Sequence, residues 1–101
     1  MPPKYLIRFL NIAREEINDA KAYLDEISPD LGDEFIAEVE EMLSKLEGNP
    51  YLFQKIHKGK RQALIKRFNY RLIYEIFPDN QIVLVLAVIH GSRHPKRWQN
   101  R

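Results

Sequence analysis

The residues with the most chemistry in this sequence lie near its end, where a basic and aromatic segment follows an apolar one. Every side chain from Ile82 to Ile89 is hydrophobic, which is typical of a central strand buried on both faces. The segment after it carries no carboxylate and contains His90, Arg93, His94, Lys96, Arg97, Trp98 and Arg101. Such cations can bind a polyanion or an acidic protein surface, or stabilise charge in a phosphate reaction.

A second group of cations lies between residues 55 and 71, again without an intervening acid. Residues 1–48 contain 5 Lys/Arg and 12 Asp/Glu, whereas residues 49–101 contain 11 and 2, so the overall charge of +2 conceals a strong division. Any single charge is explained by solvation of an outer face, but like charges so close together repel, which favours an acidic or polyanionic partner. We predict a basic surface whose candidate members are Lys58, Lys60, Arg61, Lys66 and Arg67.

Metal and cofactor chemistry has little support in the sequence. His90 and His94 have the spacing of some helical metal ligands, but Gly91 and Pro95 argue against a continuous helix there, and no third ligand is evident. The chain has no cysteine, which excludes thiolate chemistry and fits a reducing compartment. We therefore predict no metal site and no cofactor.

Hydrophobic periodicity predicts the elements that position these groups. Residues 5–10 alternate as a strand does, and Asn11 is a candidate N-cap for the helix that follows. Ser28-Pro29 is predicted to separate that helix from a second one, with Ser28 as its cap, and Gly48-Asn49-Pro50 to end the second helix. The two apolar stripes consist of Ala13, Ile17, Ala20, Leu24 and Ile27, and of Leu31, Phe35, Val39, Met42 and Leu46.

The rest of the chain is predicted to be a connection at 51–60 and strands at 61–67, 68–77 and 82–89. The order β-α-α-β-β-β defines an α+β protein in which an antiparallel helical hairpin packs on a small, mainly antiparallel sheet. No linker divides the chain, so we expect one domain over residues 1–101. The N-terminus lacks the pattern of a signal peptide and no run of 18 apolar residues occurs, so we expect a cytoplasmic protein without membrane contact.

Several of these features together resemble the RelE/ParE superfamily of toxins from prokaryotic type II toxin–antitoxin operons. They are the order of elements, the acidic hairpin ending in Gly48-Asn49-Pro50, the segment Phe68 to Tyr74, and the ending Val88-Ile89-His90 with Arg93, Pro95 and Trp98. The resemblance implies a growth-arresting toxin that a cognate antitoxin neutralises. It also implies that operator DNA is contacted only through the antitoxin. The assemblies implied are a toxin homodimer or a toxin–antitoxin heterotetramer.

The resemblance leaves two activities open. RelE-like members cut mRNA on the ribosome without a metal, and this hypothesis implies that Arg71, His90 and Arg93 are catalytic. At two positions where the RelE-like pattern has lysines, this chain has Gln62 and Leu64, which cannot neutralise a phosphorane. The remaining candidates for these duties are His90, His94, Lys66 and Arg67.

ParE-like members instead bind and inhibit DNA gyrase and serve in plasmid stabilization, and the resemblance is closer to this branch. His90-Gly91-Ser92-Arg93-His94-Pro95 follows its pattern, with His94 where an acid is often found. The target-binding residues implied are Arg93, Lys96, Arg97 and Trp98, although Trp98 could equally fold over the sheet as a core residue. A third hypothesis is an inactive antitoxin-binding domain of the same fold.

Overall fold

The computed structural model describes residues 4–101 and contains five strands and two helices. Residues 1–3 of the predicted domain lie outside the described residues. The sheet has the order β1-β5-β4-β3-β2, in which β1 is parallel to β5 and the other pairs are antiparallel. The predicted α+β fold is therefore confirmed. The bounds are β1 Leu6–Phe9, α1 Asn11–Ile27, α2 Leu31–Gly48, β2 Gln54–His57, β3 Lys60–Ile65, β4 Tyr70–Phe77 and β5 Ile82–His90.

The prediction that residues 51–60 are only a connection is wrong, because they contain strand β2. This strand is short and polar and lies at the edge of the sheet, so its sequence lacks an apolar alternation. It pairs with β3 through a tight turn at Lys58-Gly59, where both residues have positive φ angles of 44° and 80°. The pairing with β3, rather than a pattern of its own, makes this segment a strand.

Both predicted helix caps are also wrong. Leu10 is the N-cap of α1 and Asn11 is its first helical residue, while Asp30 precedes α2 and Ser28 lies at the C-terminal end of α1. A link between the helices replaces the Ser28 cap, because an Asp25 carboxylate oxygen accepts a hydrogen bond from the Gly32 N–H at 3.0 Å. The Lys21 ammonium 2.7 Å away and this N–H hold the pKa of Asp25 below its ordinary value.

The hairpin covers one face of the sheet, which we call the helix-covered face. Its core contains the predicted stripe residues Ala13, Ala20, Leu24, Phe35, Val39 and Leu46, together with Leu72 and Tyr74 of β4. Phe35 is edge-on to Phe68 and Tyr70, with ring centroids 5.4 and 5.0 Å apart. The apolar stripes of both helices thus pack where the periodicity predicts, although Ile27 at the end of the first one is exposed.

Strand β5 contributes to the opposite face as well, because successive side chains of a strand alternate between the faces. A β-bulge also interrupts its pairing with β4. Ile73 pairs with Ala87 and Tyr74 with Val85, which leaves Leu86 without a partner residue. A second apolar cluster on the opposite face contains Ile73, Leu86, Ala87, Ile89 and Trp98. Both faces of β5 are therefore buried, as its continuous apolar sequence predicts.

The residues from Gly91 to Arg101, which we call the tail, cover this second face, here named the tail-covered face. Trp98 is 3% exposed and lies in the second cluster, with its ring edge-on to His57 at 6.1 Å between centroids. A short 3-10 turn at Pro95–Arg97 precedes it. Within residues 4–101, no helix is long and apolar enough to cross a bilayer.

Candidate functional site at the end of strand β5

The tail leaves β5 at a junction that hydrogen bonds hold in place. The Gly91 N–H donates to the Asn69 carbonyl at 2.7 Å, and the Arg71 guanidinium donates to the Gly91 carbonyl at 2.9 Å. Asn69 has a left-handed φ of 56°, and a Cβ at Gly91 would lie 2.6 Å from the Asn69 side-chain oxygen. A larger residue at position 91 would therefore have to displace the Asn69 side chain, and the hydrogen bonds at this close approach fix the direction of the tail.

His90, the last residue of β5, bonds to the start of the tail. Its Nδ1 accepts a hydrogen bond from the Ser92 N–H at 3.2 Å and lies 2.8 Å from the Ser92 hydroxyl oxygen. Because a backbone N–H can only donate, Nδ1 is the acceptor and the neutral ring carries its proton on Nε2. The ring is also edge-on to Tyr70, 5.4 Å between centroids.

An open groove of about 640 Å³ lies between α1 and the tail. One wall is acidic and comes from α1, with Glu16 and Asp19, while the other is cationic and comes from the tail, with Arg93 and Arg97. Tyr70 also lines the groove, where burial and the neighbouring Tyr23 raise its pKa and the Arg93 guanidinium partly offsets the effect. The groove therefore combines cations, hydroxyl groups and aromatic surface.

Three cations project from the tail into solvent. Arg93, Lys96 and Arg97 are exposed, and none of them forms an ion pair with another residue in the described part of the chain. The His94 ring fixes the turn that carries two of them, because its Nδ1 accepts a hydrogen bond from the Lys96 N–H at 3.1 Å. These cations are therefore available to an acidic partner.

The far end of the tail is tied to α1 by a bidentate ion pair. The Arg101 guanidinium donates to the two Glu16 carboxylate oxygens at 2.7 and 3.1 Å. The same guanidinium donates to the Leu86 carbonyl at 3.0 Å, and Glu16 accepts from the Val88 N–H at 3.2 Å. Pairing between β1 and β5 ends at Val85, so these two side chains bond to backbone groups beyond the point where the neighbouring strand stops.

The structure does not bring the three candidate catalytic residues onto one face. Arg71 pairs with Ile89 of β5, whereas His90 pairs with Tyr70. Side chains of successive strand residues point to opposite faces, so Arg71 lies on the tail-covered side and His90 on the helix-covered side. Only His90 and Arg93 lie together, at the groove.

The predicted basic surface loses one member. Lys58 and Lys66 are exposed, but Lys60 is 7% exposed, so its prediction as a surface residue is wrong. Lys60 lies in β3 between His57 of β2 and Glu75 of β4, so it is inside the sheet rather than at an exposed edge.

Two further members of that surface connect elements of the fold. The Arg61 guanidinium donates to the carbonyls of Phe53 at 2.7 Å and Tyr51 at 3.3 Å. Arg67 forms an ion pair with Glu34 of α2 at 2.7 Å. Their cations are therefore engaged within the fold, in contrast to those of the tail.

The structure decides between the alternatives for Trp98. Its burial places it in the core, so it cannot contact a target directly in this conformation, and its prediction as a surface anchor is wrong. The sequence analysis also missed the contact between Glu16 and Arg101. Glu16 lies off the apolar stripe of α1, and no local pattern pairs it with a residue 85 positions away.

The structure is thus a small α+β domain with a helical hairpin on one face of its sheet and an exposed cationic tail on the other. The sequence model of one family, described as the ParE toxin of the type II toxin–antitoxin system parDE, matches residues 7–95. The chain therefore belongs to the ParE toxin family and is the toxin component of a type II toxin–antitoxin system. A search of curated proteins found no match.

Solved structures of this superfamily share the fold. The isolated RelE toxin of E. coli is 17% identical, with 92% of this chain and 90% of that chain covered and a TM-score of 0.67. A chromosomal ParDE system from P. aeruginosa is 11% identical, with 88% and 98% covered and a TM-score of 0.75. A RelBE toxin–antitoxin complex from Mycobacterium tuberculosis is 26% identical, with 86% and 98% covered and a TM-score of 0.59. Toxin–antitoxin complexes among these structures support a cognate antitoxin as a partner of this chain.

Proposed function

We propose that this toxin arrests growth from the cytoplasm by binding and inhibiting DNA gyrase, without a hydrolytic reaction of its own. The observation that carries the proposal is the exposed tail, in which Arg93, Lys96 and Arg97 have no carboxylate partner in the described chain. Arg93 and Arg97 also line the groove. Arginine is enriched among residues that dominate binding energy, because its guanidinium makes several directed hydrogen bonds.

The arrangement of the nuclease candidates supports a binding function over RNA cleavage. Arg71 donates to the Gly91 carbonyl and lies on the side of the sheet opposite His90. Metal-free cleavage needs a base, an acid and charge stabilisation around one phosphate. Gln62 and Leu64 supply no cation at the positions where the RelE-like pattern has lysines, so this constellation is incomplete.

The cognate antitoxin would neutralise the toxin by covering the same cations. An acidic amphipathic segment suits the tail and the cationic wall of the groove, because it complements their positive charge and the aromatic surface beside them. Operator DNA would be recognised through the antitoxin, because the two helices of this chain are rich in acidic residues. The phosphates of DNA would repel these carboxylates.

A gyrase supercoiling assay with purified toxin tests this proposal. We expect Arg93→Ala and the double variant Lys96→Ala/Arg97→Ala each to raise the half-inhibitory toxin concentration at least about tenfold. The control is Lys45→Ala, which removes an exposed cation of α2 far from the tail in sequence, and it should inhibit like the wild type.

A ribosome assay run in parallel separates the alternatives. The same protein is added to a reconstituted translation reaction, and cuts in a defined mRNA are mapped by primer extension. Cleavage in the ribosomal A site, with supercoiling unaffected, would replace the proposal by the RelE-like hypothesis. The absence of growth arrest, cleavage and gyrase inhibition would favour an inactive antitoxin-binding domain.

A further inference from the structure

We propose that Glu16 and Arg101 are positioning residues, which hold the tail so that its cations meet the target in one fixed arrangement. The inference rests on the proposed function, because it concerns the same tail. It adds two residues that lie outside the predicted target-binding set. Neither needs to contact the target, since both are engaged with each other and with the backbone of β5.

Burial distinguishes this ion pair from the others in the described chain. The Arg101 and Glu16 side chains are 13% and 17% exposed, whereas every other paired side chain is at least 32% exposed. Exposed pairs contribute little, because water competes for both charges. A bidentate pair that is largely removed from water has stronger hydrogen bonds and one defined geometry.

Backbone contacts make the pair specific for its place. Arg101 bonds to the Leu86 carbonyl and Glu16 to the Val88 N–H, at the segment of β5 that β1 does not reach. Removal of either side chain would leave a polar backbone group of a largely buried strand without this partner, which is costly. These backbone hydrogen bonds therefore stabilise the closed ion pair in addition to the attraction between its charges.

The tail is consequently fixed at both ends. Arg71 binds the carbonyl of Gly91 at its start, and Glu16 binds Arg101 at its end. The three exposed cations lie between these two points, and Trp98 packs on the sheet beside the second. A binding segment held in this way loses less conformational entropy when it meets its target than a free one does.

The single tryptophan of the chain provides a direct readout of the tail. We compare the wild type with Arg101→Met, Glu16→Gln and Arg101→Lys, and use Lys45→Met as the control because it breaks an exposed ion pair with Glu41. Acrylamide quenching of Trp98 fluorescence reports whether the tail is docked, and far-UV circular dichroism reports whether the helices remain. Growth arrest and gyrase supercoiling report activity, and growth arrest does not assume a particular target.

We expect Arg101→Met and Glu16→Gln to increase the quenching of Trp98 severalfold, to keep the helical dichroism, and to weaken toxicity about tenfold or more. Arg101→Lys keeps the charge but loses the bidentate geometry, so it should restore part of both the protection and the toxicity. Lys45→Met should match the wild type in every measurement.

Three results would overturn the inference. Trp98 could stay protected in both variants, toxicity could persist although Trp98 is released, or both variants could lose their helical signal and so reveal a general stability defect. If the wild type arrests growth without inhibiting gyrase, the proposed target is contradicted instead. The same variants would then still test the positioning role through growth arrest.

Discussion

Two helices of 17 and 18 residues close the helix-covered face of the sheet, whereas the tail and Trp98 close the tail-covered face. The first cover is a large apolar core with edge-on aromatic rings around Phe35. The second is a small cluster that depends on an ion pair at its end. The fold thus rests mainly on one face, and the other face carries the exposed cations on a smaller cover, whose release we expect to leave the main core intact.

The largest effect expected is from Phe35→Ala, which should lower the free energy of unfolding by about 3–5 kcal/mol, because it removes a fully buried ring from the main core. Trp98→Ala should lower the free energy of unfolding clearly less, as followed by far-UV dichroism, because we expect the tail to be released before the helices unfold. It should still reduce toxicity. Chemical denaturation of both variants checks this. Equal losses would mean that the two faces form one cooperative core, contrary to the comparison.

Gly32→Ala tests how closely the hairpin must pack to cover its face. A Cβ at Gly32 would lie 2.2 Å from an Asp25 carboxylate oxygen and 2.7 Å from the Lys21 carbonyl. We expect a loss of about 1–3 kcal/mol, because the helices must move apart. Gly48→Ala is the matched control, since its Cβ would meet nothing within 4 Å. It should stabilise the helix by up to about 1 kcal/mol, and thermal unfolding should show opposite shifts for the two variants.

Tyr74→Phe sharpens the comparison at a buried polar group of the helix-covered face. The Tyr74 hydroxyl donates to the Pro50 carbonyl at 2.6 Å, and its removal should cost about 1–2 kcal/mol. Burial raises the pKa of Tyr74 to about 12, so from pH about 10 upward the unfolded chain loses a proton that the folded chain keeps. Wild-type stability should therefore fall as pH rises towards 12, and Tyr74→Phe should fall less steeply in denaturation between pH 9 and pH 11. A slope equal to that of the wild type would contradict this assignment.

The smallest effect expected is from Arg67→Ala. Its ion pair with Glu34 has the same 2.7 Å distance as that of Arg101 with Glu16, but its side chains are 52% and 47% exposed. We expect a change below about 1 kcal/mol by urea denaturation, with a further decrease in high salt. A loss as large as that of Arg101→Met would show that distance, rather than burial, decides the strength of these pairs.

The two faces also differ in how far the sequence predicts them. Apolar stripes at helical spacing predict the hairpin and its core, because local periodicity alone indicates the burial of residues such as Phe35 and Leu46. Strand β2 and the contact of Glu16 with Arg101 lack such a signal, since each depends on a partner that only the folded chain brings near. The same holds for Trp98, whose burial requires the tail to be tied down. The sequence predicts the exposed cations because charge can be counted along the chain. It does not predict their arrangement, which depends on how the folded tail is held.

The extra residue in β5 has a consequence for the identity of the site. Inward and outward positions alternate along a strand, so an extra residue exchanges them for everything that follows unless a bulge takes it up. Leu86 and Ala87 both lie in the cluster of the tail-covered face, so the bulge absorbs the extra residue, and His90 meets Tyr70 and the groove rather than Arg71. A strand of the same sequence without the bulge would instead project His90 on the side of Arg71. The bulge thus decides which chemical groups each side of the toxin presents while the fold stays the same.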